Sequence, residues 1–85
     1  MKWELVIANP ARRAIRDMPH ADSKLILEAL EEMRSDPYSG DIKFLRGTDR
    51  ASRRRVGAWR IMFDVDNGRR IIVVTDVKRR DSSTY

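Results

Sequence analysis

The sequence predicts an α+β domain of order β-α-α-β-β-β, with an N-terminal helical hairpin packed on one face of a mainly antiparallel sheet. Three observations predict it. A short alternating stretch at the start precedes two segments with apolar residues at helical spacing. Beyond Gly40 the spacing changes to the alternation of strands. Turn formers at Gly57 and at Asp66-Asn67-Gly68 divide that second half. Two helices with one apolar stripe each need a surface to cover, and a half-apolar sheet supplies it.

Taken in order, Lys2 to Ala8 alternates as a strand, with Trp3, Leu5 and Ile7 on one face and Lys2, Glu4 and Val6 on the other. Asn9-Pro10 reads as an N-cap followed by a proline at the first helical position, where its missing N–H costs nothing. The first helix gathers Ala11, Ala14, Ile15 and Met18 on one side, and Pro19 ends it by disfavouring helical geometry at the residue before it. The second helix is expected from Asp22 or Ser23, with Leu25, Ile26, Ala29, Leu30 and Met33 inward and Glu28, Glu31, Glu32 and Arg34 outward. It stops at Ser35-Asp36-Pro37-Tyr38-Ser39-Gly40, a run of turn formers. Ile42 to Leu45 reads as a short extended piece. Arg53 to Gly57 and Trp59 to Asp66 read as paired strands, and Arg70 to Val77 as the most apolar strand and the central one.

Eighty-five residues allow one domain, 1–85. There is no cysteine, hence no disulfide and no thiolate metal site, and a reducing, cytoplasmic setting is expected. No apolar run approaches the roughly 20 residues of a membrane helix. The net charge of +5 is unevenly spread. Residues 1–42 hold six basic and eight acidic side chains, whereas residues 43–85 hold twelve and five. A basic patch in the second half attracts polyanions or an acidic protein.

The densest part of that patch is Ser52 to Phe63, SRRRVGAWRIMF. Cross-strand neighbours stand about 5 Å apart, so like charges there destabilise a sheet. Alternation puts Arg53 and Arg55 on one face and Arg54 on the other. Ile61, Phe63 and Val65 are the core face of the next strand, which sends Arg60 to the open face with Arg53 and Arg55; Arg79 is expected to reach the same rim. An anionic ligand would relieve the crowding, and phosphate suits the guanidinium fork. Pairing with Asp49, Asp64, Asp66 and Asp76 is the competing account. Trp59 alternates inward and reads as packing. His20 is expected in the turn between the helices, away from the arginines. Glu28, Glu31 and Glu32 read as a solvated helix face without metal-ligand spacing, so no metal or cofactor is expected.

An ordered set of motifs runs through the chain: Ala11 to Ile15, Asp36-Pro37, Leu45-Arg46-Gly47, Arg53 to Ile61, and Ile71 to Tyr85. In this order and spacing they resemble the RelE/ParE superfamily of bacterial toxins, the RelE-like branch above all because of the terminal tyrosine. The resemblance implies a microbial-ribonuclease-like fold and a ribosome-dependent messenger-RNA endonuclease acting in the ribosomal A site. It implies that Arg53, Arg55, Arg60 and Arg79 bind the scissile phosphate and that Tyr85 stacks on a base or takes part in proton transfer. Arginine, with a pKa above about 12, is no proton acceptor. A phenol with an ordinary pKa near 10 needs positive charge around it to serve. Lys43, Arg46, Arg50, Arg54, Lys78 and Arg80 are expected to extend contact to nucleic acid, with Arg54, often apolar in the family, at the sheet edge or on RNA. The resemblance also implies a cognate antitoxin, acidic and partly disordered, in a hetero-oligomer. The alternatives are a ParE-like inhibitor of DNA gyrase and a non-catalytic nucleic-acid-binding module.

Overall fold

The computed structural model describes residues 2–44 and 51–79. Along the chain run β1 (Glu4–Ile7), α1 (Asn9–Asp17), α2 (His20–Ser35), β2 (Asp41–Phe44), β3 (Ala51–Val56), β4 (Trp59–Asp66) and β5 (Ile71–Arg79). The strands form one sheet of order β1-β5-β4-β3-β2. Only β1 and β5 are parallel; the other pairs are antiparallel. The expected α+β architecture holds, with one strand more than expected. The extended piece after Gly40 pairs with β3 over Asp41–Phe44, so four strands follow the helices. β4 rather than β5 takes the middle of the sheet.

Both helix starts fall earlier than expected. Ala8 is the N-cap of α1 and makes no side-chain cap, so Asn9 is already inside the helix. The Arg12 Nε instead donates to the carbonyl of Ile7 at 3.0 Å. α2 begins at His20, which places that histidine in a first helical turn rather than in a linker. The core gathers Ala11 from α1, Met18 at its C-cap, and Ile26, Ala29, Leu30 and Met33 from α2. They pack on Ile61, Phe63 and Val65 of β4 and Ile72, Val74 and Val77 of β5.

The two hairpin turns differ. Val56 stands opposite Trp59, so Gly57 and Ala58 make a two-residue turn, and Gly57 has φ +56. A glycine with positive φ at the first of two turn positions is the type II′ pattern, which suits the twist of the flanking strands. Asp66 pairs with Ile71, so the loop bearing Asn67-Gly68 has four residues, not two. Its left-handed residue is Arg70, at φ +56, whose guanidinium lies 4.7 Å over the ring of Trp3. The Tyr38 hydroxyl donates to Asn67 Oδ1 at 3.0 Å, tying this loop to the turn after α2.

Candidate nucleic-acid interface

Pairing register decides which basic side chains share a face. Arg55 is opposite Arg60, and Arg60 is opposite Lys78, so three cations stand in one row across β3, β4 and β5. Residues directly opposite are about 4.5–5.5 Å apart at Cα. The next row on the same face is Arg53, Met62 and Asp76. Since Ile61, Phe63 and Val65 are buried beneath the helices, both rows lie on the open face of the sheet. Lys43 of β2 is opposite Arg53 in register. Arg46, Arg50, Arg80 and Tyr85 lie outside the described residues.

Two carboxylates share this face by register: Asp41 of β2 is opposite Arg55, and Asp76 lies in the row of Arg53 and Met62. Lys2–Glu31, Arg16–Asp17, Arg34–Glu31 and Arg54–Glu32 form ion pairs among the described residues, and none of these four involves Arg53, Arg55 or Lys78. Asp76 Oδ1 accepts from the backbone N–H of Val77 at 2.8 Å, and Asp66 Oδ1 from that of Arg69 at 3.1 Å.

Arg79 stands elsewhere than expected. Counting by twos from the buried Ile72 and Val74 would send residue 79 to the open face. The pairing shifts between Met62 and Phe63, because Met62 is opposite Asp76 while Phe63 is opposite Val74. Thr75 is the extra residue of a β-bulge, and its hydroxyl donates to the carbonyl of Met62 at 3.2 Å. The bulge reverses the alternation, so Val77 is buried and Lys78 faces outward. Arg79 comes opposite Trp59, its guanidinium 5.9 Å over the indole. Lys78, given only an auxiliary role from sequence, takes the place beside Arg60. Trp59 packs against the core, as its alternation indicates.

Arg54 also needs correction as a nucleic-acid contact. It is 7% exposed, on the helix side of the sheet. Its Nη1 donates to the carbonyl of Ala29 at 3.1 Å and its Nη2 to Glu32 Oε1 at 2.5 Å. Gly40 closes over it with φ +82, and a Cβ there would stand 2.6 Å from Arg54 Nε. Sequence reading missed Glu32 and Gly40 as its partners. The available signal was physical: an arginine at an inward strand position must find a carboxylate, and α2 carries Glu28, Glu31 and Glu32.

No protein-family profile matches the chain. RelE1, a candidate toxin of Methanocaldococcus jannaschii, is 29% identical over 86 residues, covering 98% of this chain and 96% of that protein. Among solved structures, RelE in the Pyrococcus horikoshii RelE–RelB complex superposes with a TM-score of 0.84 at 23% identity, covering 96% of this chain and 99% of that one. The isolated RelE toxin of Escherichia coli gives 0.79 at 16% identity, covering 93% and 85%. At these identities the solved structures carry the fold: the class is the RelE-type α+β protein, two helices on a mixed sheet. With the end-to-end likeness to RelE1, the chain is similar to a RelE toxin over nearly its whole length and shares the RelE fold.

Proposed function

We propose that this chain is the toxin of a toxin–antitoxin pair and cuts messenger RNA on the ribosome. The observation that carries the reading is the row Arg55, Arg60 and Lys78, with Arg53 beside it, on an open sheet face. In the reaction a ribose 2′-oxygen bonds to the adjacent phosphorus and the bond to the 5′-oxygen of the next nucleotide breaks. The 2′-hydroxyl proton leaves to a base, and the departing oxygen takes up a proton. Arg53, Arg55 and Arg60 hold the phosphate and stabilise the charge that gathers on its oxygens, with Lys78 adding to the field. Arg79 approaches substrate from the end of β5. Tyr85 is the residue that the family resemblance assigns to base stacking or proton transfer. His20, the chain's one histidine, lies at the start of α2, so the arginine face has no histidine acid–base pair. Orientation of the message by the ribosome suits such a site.

The toxin reading brings a partner. The RelE chains of Pyrococcus horikoshii and Methanococcus jannaschii were solved with RelB antitoxins. An acidic, partly disordered antitoxin suits the basic second half of this chain and would form a hetero-oligomer with it. No described helix is long and apolar enough to cross a membrane, and the cytoplasm, where ribosomes and messages meet, is the proposed location.

The test is expression without an antitoxin, followed by mapping of messenger 5′ ends. Growth arrest with cuts at codon positions is expected, and Arg60→Ala should reduce cutting by about 100-fold. Growth arrest with intact messages and inhibited supercoiling would replace this reading with gyrase inhibition. Salt-sensitive RNA binding without arrest would leave a binding module.

A further inference from the structure

We propose that Arg54 is a positioning residue for Arg53 and Arg55, fastening β3 to α2 from beneath while its two neighbours face substrate. The inference rests on the reading of Arg53 and Arg55 as phosphate contacts.

β3 has almost nothing apolar with which to hold itself down. Its helix-side positions are Ser52, Arg54 and Val56, and only Val56 is hydrophobic. Strands that bury one face are located by that face, and polar strands are prone to slip or fray. Here the link is directional instead. One guanidinium reaches Ala29 and Glu32, two residues of α2 that the rest of the sheet does not tether by polar contact among the described residues. Gly40, just before β2, lets the backbone close against the same guanidinium. The anchor therefore joins α2, β3 and the entry to β2 at one point. It stands between the two arginines whose placement the proposed chemistry needs, and a misplacement of about 1 Å in such groups costs up to 100-fold in rate.

Glu32 separates this role from direct contact with RNA, because it lies on α2, across the sheet from the open face. The test compares residue-by-residue amide exchange and messenger cleavage in a translating extract for wild type, Arg54→Ala, Arg54→Met, Glu32→Ala and the double variant Glu32→Ala/Arg54→Met. Glu32→Ala and Arg54→Ala should speed exchange of β3 amides by about tenfold or more while the β4–β5 ladder keeps its protection. Both should slow cleavage by about tenfold. Arg54→Met, which fills the same space without charge, should restore both, and Glu32→Ala should then add nothing. If Arg54→Ala does not fold, Glu32→Ala carries the comparison, since its side chain is 64% exposed. Unchanged exchange and cleavage in Glu32→Ala would overturn the proposal. So would Arg54→Met with wild-type exchange but cleavage as poor as Arg54→Ala, since charge rather than anchoring would then matter. If the wild type cuts no message, the exchange data still decide the anchoring, and only the role given to Arg53 and Arg55 falls.

Discussion

β3 and β4 are adjacent, antiparallel and covered by the same helices, yet they are held by different physics. β4 turns Ile61, Phe63 and Val65 inward, and all three are buried, Phe63 to 1% exposure. β3 turns Ser52 and Arg54 inward, and they are as well buried as the hydrophobes. β4 is secured by volume, which is non-directional and tolerant of small shifts. β3 is secured by hydrogen bonds and one ion pair, which demand particular partners at particular places. The polar solution leaves Ser52 Oγ and Arg54 Nε buried without partners among the described residues. A strand can therefore carry charges on one face while its other face contributes little to the core, provided one buried contact holds it.

The comparison breaks most visibly at its apolar side. Phe63→Ala should cost about 3–5 kcal/mol, measured by urea denaturation, because it empties the middle of the core. That is a large part of the roughly 5–15 kcal/mol that holds a small domain together, and loss should be global. On the polar side, Gly40→Ala should cost about 1–2 kcal/mol from the left-handed backbone alone. It should also push the Arg54 side chain aside, so exchange at β3 should rise beyond what the stability change explains. The bulge is tested by setting Lys78→Ala against Arg79→Ala in the cleavage assay. Lys78→Ala should lose about tenfold and Arg79→Ala less, the reverse of the order that unbroken alternation along β5 would give. Ser52→Ala should change stability by less than about 1 kcal/mol, and upward if at all, since it removes a buried hydroxyl that has no partner.

The smallest effect lies outside both strands. Lys2 donates to Glu31 at 3.1 Å, and this bond, then the Lys2 charge and that of Arg34, hold the Glu31 carboxyl below its ordinary range. A depressed carboxylate stabilises above its unfolded pKa and loses that contribution as pH falls through the folded value. Lys2→Met should therefore raise the Glu31 titration midpoint in carboxyl NMR and flatten the acid limb of stability slightly.

Much of this was legible along the chain. The helix stripes, except for Leu25, which is expected inward but is 50% exposed, the β3–β4 hairpin about Gly57 and the apolar face of β4 follow from local periodicity, and so does the parting of Arg53 and Arg55 from Arg54. Two misplacements have one cause each. Arg54 looked like a sheet-edge or RNA contact because nothing local shows that Glu32, on the exposed face of α2, lies within its reach. Arg79 looked like a neighbour of Arg60 on the open face because alternation holds only while a strand is regular.

The two helices, the strands on either side of them, the sharing of a face by Arg53, Arg55 and Arg60, and the likeness to RelE toxins were thus legible along the chain, since side-chain alternation and apolar spacing are properties of the backbone at each residue. Only the tertiary structure decided that Lys78 and not Arg79 stands beside Arg60, and that Arg54 is an anchor. A bulge and a half-buried ion pair depend on what lies across from a residue, and those neighbours are set by residues 13 and 22 positions away in the chain.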